Sequence, residues 1–326
     1  MTDDDDIPLQ TEDEIQQRIR EGGARQRPPA DGADGAGRPA RRLPLVAVAV
    51  VLLLGAVEVG ATLVQHLAVP AASDWRAAAA RLATTRRPDE PVLFAPIWVE
   101  PIGRSHVRDL DMELLLLSDV DRYRRVFEVS TRGSRHPWLA GEKPARTWDF
   151  GGVRLSLFER TRPAEVLFDF TRKIREAQVS RIGAQVTRCP WDGKRRFRCD
   201  PARGWNSVGP HVAEVGHRPY RCIFAHPVEG HVMRISFPAA AIGASLVGYT
   251  GIDDFENRKR ADADVLLKVL VGPRQVGAIR HQNGWPWHRF ALDTKEMAGQ
   301  THPVSFEISA DRAFARTFCF AAESRR

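Results

Sequence analysis

The chain has 326 residues, 43% of them hydrophobic and 27% charged, and a formal net charge of +7. At ~150 residues per domain this length holds two compact domains plus appendages, and the apolar content excludes a chain that is disordered throughout. The charge is unevenly spread. Residues 1–42 hold 7 Lys+Arg against 10 Asp+Glu, whereas the chain beyond the apolar segment holds 41 against 30.

Residues 1–42 contain Asp3–Asp6, the cluster Glu12, Asp13 and Glu14, and the stretch RQRPPADGADGAGRPARR. So few apolar groups cannot offset the entropy of ordering, and a disordered cytoplasmic tail is expected; a short helix over 13–21 is the alternative. Leu43–Val64 is apolar except for Glu58, and 22 residues suffice to cross ~30 Å of hydrocarbon. A transmembrane helix over 43–66 is expected. The run exceeds the ~7–15 residues of a cleaved signal core, so an uncleaved signal anchor is favoured over a cleaved signal or a core helix.

Arg25, Arg27, Arg38, Arg41 and Arg42 precede the span, and only Arg76 and Arg81 follow it closely. The positive-inside rule then places the N-terminus in the cytoplasm and the bulk of the chain outside. All four cysteines, Cys189, Cys199, Cys222 and Cys319, lie in that exported part, where disulfides persist. A basic exported portion suits the cell membrane's anionic headgroups or an anionic envelope glycan or glycoconjugate as partner, with a diffusely solvated surface as the alternative. Nucleic acid is not expected in that compartment. Within the span, Ala56 and Gly60 make a small-xxx-small pair flanking Glu58. This is a contact surface for a polytopic membrane protein, unless the Glu58 carboxylate only reaches toward the interface.

Residues 73–160 read as a small α/β domain. Its elements are a helix in DWRAAAARLATTRR capped by Ser73 or Asp74, a strand at Val92–Ala95, a helix over 107–118, a strand at Tyr123–Ser130, and a hairpin ARTWDFGG/VRLSLFER. The loop PIWVEPIGR, 96–104, leaves a strand at its C-terminal end, where α/β proteins place ligands. Glu100 and Arg104, with Asp109 and Asp111 beyond, form either a polar site or a solvated loop. The segments DWRAAAARL, RPDEPVLFAPIWVEPIGR, YRRVFEV and GGVRLSLFER resemble the extracytoplasmic segment of bacterial polytopic glycosyltransferases that use lipid-linked sugars. The resemblance implies an accessory domain of that type. It carries over no catalytic residue, because the many spans and the early acidic outer loop of that family are missing here.

In the interval 161–183, Pro163 precedes Val166, Leu167, Phe170, Ile174 and Val179 at roughly helical spacing, which predicts a linking helix. From 184 to 326 the runs CIFAHP, VMRISFP, ASLVGYTGI, DVLLKVLV, QVGAIRH, RFALDT, HPVSFEIS and RTFCFAA alternate with turn signals. They predict an antiparallel β-sandwich. GASLVGYTGIDD, DVLLKVLVGPRQV, GWPWHRFALDT, HPVSFEIS and RTFCFAA, within 205–324, resemble galactose-binding-like jelly rolls found as carbohydrate-binding modules. The expected fold class is thus α/β plus all-β: one transmembrane helix, a small α/β extracytoplasmic domain, and a jelly-roll sandwich.

Cys189 and Cys199 bracket the turn WDGK and are within bridging reach if the flanks form a hairpin. Cys222 and Cys319 lie in apolar strands, to pair across the sandwich or stay as buried thiols. His211, His217, His226 and His231 lack the H-E-x-x-H pattern, and the acidic run from Asp253 lacks EF-hand spacing. No metal, cofactor or catalytic residue is expected, since G-x-S-x-G, P-loop and G-x-G-x-x-G are also missing. In NGWPWHRFALDT, Pro286 marks a strand start, with His288, Phe290 and Leu292 on one face and Trp287, Arg289 and Ala291 on the other. An aromatic ring beside a guanidinium suits a sugar with an anionic substituent, so Trp287 and Arg289, with Trp285, are candidate ligand residues. The competing reading has both tryptophans plugging the sandwich end. Glycan recognition by the exported part is the favoured function; sugar transfer or hydrolysis, and structural partnership in the membrane, are the alternatives.

Overall fold

The structure, a computed structural model, describes residues 42–67, 69–200, 202, 204–257, 263–314 and 316–326. The expected disordered tail lies outside these residues. The chain divides into two units, Met1–Val64 and Gln65–Arg326.

The helix α1 spans Arg42–Leu67, and its residues up to Val64 belong to the first unit. Its segment Val46–Val64 is long and apolar enough to cross a membrane, about 28 Å at 1.5 Å per residue. Its side chains, among them Ala56, Glu58 and Gly60, are exposed over 46–64.

The second unit opens with α2, Ala72–Thr85. Trp75, Ala78 and Leu82, spaced three and four apart, form its buried stripe. The cap differs from the expected one. Ala71 is the N-cap, and Asp74 sits in the first turn, where its carboxylate accepts from Ala71 N (3.2 Å) and Gly152 N (3.0 Å). The stripe packs on a sheet ordered β1 (Val92–Ala95), β2 (Arg125–Thr131), β4 (Val153–Glu159), β3 (Arg146–Phe150), in which β1 and β2 are parallel.

Two helix expectations are corrected. The interval 107–118 is not one helix. Helical structure instead occupies the end of the supposed ligand loop as α3, Glu100–His106, and within 107–118 only a single turn, α4, Met112–Leu115, forms. Glu100 and Pro101 suit a helix start, whereas Asp109 at φ 57° breaks the helical path and Asp111 restarts it by accepting from Glu113 N.

The expected linking helix is also absent. Residues 161–183 run as β5 (Val166–Asp169), a short 3₁₀ turn at Ile174–Glu176 and β6 (Gln178–Ile182). Phe168 and Phe170, two apart, enter the sandwich core, where Phe170 meets Phe237 and Phe306 edge-on at 5.0 Å. Pairing of β5 with β17 and of β6 with β11 supplies the backbone bonds a helix would have made, and tertiary pairing overrides the local period.

The remaining strands are β7 (Val186–Cys189), β8 (Phe197–Arg198), β9 (Ser207–Val215), β10 (Arg218–Ala225), β11 (Val232–Ala241), β12 (Ser245–Ile252), β13 (Val265–Val271), β14 (Arg274–His281), β15 (His288–Asp293), β16 (Thr301–Ser309) and β17 (Phe318–Arg325). One sheet runs β15-β12-β17-β10-β9-β8 with β5 beside β17; the other runs β14-β13-β16-β11-β6-β7. From β10 to β13 each strand changes sheet, and after the β13–β14 hairpin the alternation resumes to β17. This is the exchange of a jelly-roll sandwich. The core between the sheets is apolar, with Val208, Ile223, Leu246 and Phe320 from one and Ile235, Leu267, Val269 and Ile308 from the other.

Both disulfides form. Cys189–Cys199 joins β7 to the end of β8, so it ties two sheets at their edge and needs only one bridge, Trp191 to Phe197, rather than a full hairpin. Cys222–Cys319 lies within one sheet, between neighbouring β10 and β17, and not across the sandwich.

Candidate functional site

The face of the β15-to-β8 sheet that points away from the sandwich core has two halves. The α/β layer covers the first. Tyr220 of β10, Ala213 and Val215 of β9 and the Cys222–Cys319 disulfide form a satellite cluster there, with Trp138, Trp287 and the partly buried Phe224 packed on it. Trp287 stacks near-parallel on Tyr220 (4.8 Å) and Tyr249 (6.0 Å), and its indole N–H is buried without a partner. A Cβ on Gly251 would lie 2.6 Å from this ring, so glycine there lets the indole lie on the strand. The Arg218 guanidinium sits 4.8 Å from the Trp138 ring centre and contacts His136 Nε2 at 3.2 Å.

An ionic network closes the same half. Arg325, 7% exposed, pairs with Asp119 (2.8 Å), Glu323 (2.8 Å) and Asp121 (3.3 Å), and Arg122 pairs with Glu323 and Asp169. Tyr249 donates to Asp119 at 2.6 Å. Burial, with Asp169 and Asp119 adding, raises the Glu323 carboxyl above its ordinary range despite Arg325 and Arg122. In the cleft beside this network the charges face one another.

The second half, over β8 to β10, is open. Here the sequence builds a loop with care. Asp192 accepts three backbone N–H bonds, from Lys194 (2.8 Å), Arg195 (2.8 Å) and Arg196 (3.2 Å), which hold its carboxyl down to about 2. Gly193 takes the left-handed φ of 77° that the turn requires. Trp191 packs edge-on against Phe197 at 5.0 Å, and the Cys189–Cys199 disulfide closes the loop's base. Gly209 of β9 lets the loop lie directly on the sheet, since a Cβ there would meet Arg195 O at 2.5 Å.

This loop overhangs a row of rings. His211 of β9 meets Phe224 of β10 at 5.6 Å, Phe224 meets His226 at 6.4 Å, and His226 meets Trp205 at 4.8 Å. Trp205 is 45% exposed. The space beneath the loop is lined by Arg195, Arg196, Ser207, Gly209, Pro210, His211 and Phe224. Desolvation lowers the His211 pKa, with Asp253 opposing and Arg196 adding. The arrangement offers aromatic faces to an apolar ring surface and exposed guanidinium donors, on a backbone held by Asp192, to an anion.

The sequence-derived candidates fall elsewhere. Trp287 and Arg289 flank the start of β15, with Trp287 in the covered half and Arg289 exposed opposite Tyr249. Trp285 is separate, against His288 (4.5 Å) and His281 (5.9 Å). Glu100 and Arg104 form an i,i+4 pair on α3 at 3.6 Å. Sequence reading passed over the shelf because Trp205, His211 and Phe224 converge only through the β9–β10 register. The available signal was KRRFR inside the Cys189–Cys199 bracket. Also unforeseen, Glu214, His217 and Asp254 bring ligand-type atoms within 4.8 Å of one another. There Asp254 is occupied in accepting from Gly216 N and His217 N, which fixes the β9–β10 turn.

No family model matches the chain, and no curated protein matches it. The likeness of residues 73–160 to glycosyltransferase segments therefore rests on its motifs alone. Among solved structures the chain is similar to CBM51-2 and INT domains from Clostridium perfringens ZmpB in complex with GlcNAc (14% identity, TM-score 0.27, 35% of this chain and 24% of that one). It is similar also to TmCBM61 in complex with β-1,4-galactotriose (12%, 0.27, 49% and 96%) and to Xylanase10C from Cellvibrio japonicus with xylopentaose (9%, 0.24, 45% and 26%). The chain spans about a quarter of the ZmpB structures it matches. These likenesses are too low to bear on function.

Proposed function

We propose that this protein is a membrane-anchored, extracytoplasmic binder of an anionic glycan. The open shelf supports the reading: Arg195 and Arg196, carried on a disulfide-closed loop, line one space with His211 and Phe224, and the ring row continues through His226 to Trp205. Sugar rings stack on aromatic faces through their C–H surfaces, and carboxylate, sulfate or phosphate substituents pair with guanidinium groups. The apolar helix Val46–Val64 supports an anchor, and both disulfides support an oxidising compartment outside the cytoplasm.

Titration of the full-length protein in detergent with uronic-acid oligosaccharides and with neutral counterparts of equal length tests this. Saturable binding of the uronates alone, weakened by salt, is expected. Equal affinity for the neutral oligosaccharides, or no saturable binding of either, contradicts it.

A further inference from the structure

One end of the α/β layer carries large apolar side chains that the fold leaves exposed. Trp98, 61% exposed, and Ile102, 48% exposed, lie four residues apart and point outward, with Ile97 beside them. Their neighbour Gly103 faces inward instead, where a Cβ would lie 2.2 Å from the Phe94 ring. Trp98 lies under the guanidinium of Arg132 at 5.8 Å, and Arg132, Arg104 and Arg108 are all exposed.

This end is also where the chain enters the unit from α1. Pro70 packs on Gly152, whose N–H donates to Asp74 of α2. Val153, next in sequence, pairs with Thr131, and Arg132 follows directly. His106, the last residue of α3, stacks on Trp75 in the first turn of α2 at 6.1 Å. Only residues 68–71 separate α1 from α2, an interval of about 14 Å when fully extended.

We infer that Ile97, Trp98 and Ile102 dock on the surface of the lipid bilayer, with Arg132, Arg104 and Arg108 facing lipid phosphates. Tryptophan and isoleucine rimmed by arginine match the headgroup boundary, where an amphipathic ring has one apolar and one wet side and a guanidinium meets anionic lipid. The docking would keep the exported unit close to the membrane instead of letting it swing on its linker. This inference rests on the reading of α1 as a membrane anchor.

The test uses the full-length protein in vesicles of phosphatidylcholine and phosphatidylglycerol, with acyl chains either unmodified or brominated near the headgroup. Bromination is expected to quench part of the tryptophan fluorescence. Trp98→Phe should abolish that quenching, Trp205→Phe should leave it, and Ile102→Ser, which keeps Trp98, should reduce it. Retention of the protein on the vesicles after alkaline carbonate, with no Trp98-dependent quenching, would overturn the docking alone. Release by carbonate would overturn the anchor and the docking with it.

Discussion

The two halves of one sheet face use the same chemistry to opposite ends. In the covered half Tyr220, Trp287 and Tyr249 stack on one another, and Arg325 and Arg122 face Asp119, Asp169 and Glu323. In the open half Trp205, Phe224 and His211 leave ring surface toward solvent below Arg195 and Arg196. An aromatic ring beside a guanidinium is therefore no site by composition. What separates plug from site is whether a second layer has already taken the ring faces and supplied the carboxylates.

The contrast should break most sharply at Arg325. Arg325→Ala leaves Asp119 buried without its cation and Glu323 with Arg122 alone, and about 3–5 kcal/mol of stability is expected to be lost in urea unfolding. Arg325→Met, which keeps the volume, should lose less. Trp287→Ala removes the ring between Tyr220 and Tyr249 and should cost about 3 kcal/mol, with glycan binding retained under conditions where the variant stays folded.

Acid should weaken the fold next, at His136 in the covered half and at His281, which ends β14 of the opposite sheet. Burial holds His136 down to about 3, with Arg218 adding, and His281 down to about 4, with His288 and Arg316 adding. Trp138 N donates to His136 Nδ1 while Arg218 approaches Nε2, so both ring nitrogens face donors. Because the folded pKa values lie below the unfolded ~6.5, the unfolded chain binds protons first as the pH falls. Stability is full above pH ~6.5 and declines from there toward pH 3–4, by about 2 kcal/mol per histidine at pH 5. Unfolding at pH 7 and pH 5 checks this, and His281→Gln should remove about half of the difference.

The smallest stability effect belongs to the open half. Arg196→Ala and Trp205→Ala should each change stability by no more than about 0.5 kcal/mol. Each should nonetheless weaken uronate binding about tenfold or more, the loss of a charge-assisted or stacking contact of about 1.4 kcal/mol.

Much of this architecture was readable from residue pattern. The apolar span, the β3–β4 hairpin, the strands from β10 to β17 and the Cys189–Cys199 bridge all follow from local signals: an apolar run, Gly151-Gly152, period-two alternation, and a turn between cysteines. What failed was information held by partners. Val166–Val179 has helical spacing, yet β17 and β11 offer sheet edges that reward Phe168 and Phe170 on one face. β9 is hidden by Gly209 and Pro210, the first of which is needed under the arginine loop. The candidate site inherited that gap. Trp287 stood out because its neighbours in sequence are aromatic and basic, whereas Trp205, His211 and Phe224 become neighbours only when β9 pairs with β10.

Hydrogen exchange of the full-length protein with and without a saturating uronate oligosaccharide tests the assignment of roles to the two halves most directly. Protection confined to segments 190–211 and 220–226, with 285–293 unchanged, is the predicted result. Protection centred on Trp287 and Arg289, with the arginine loop unaffected, would contradict it.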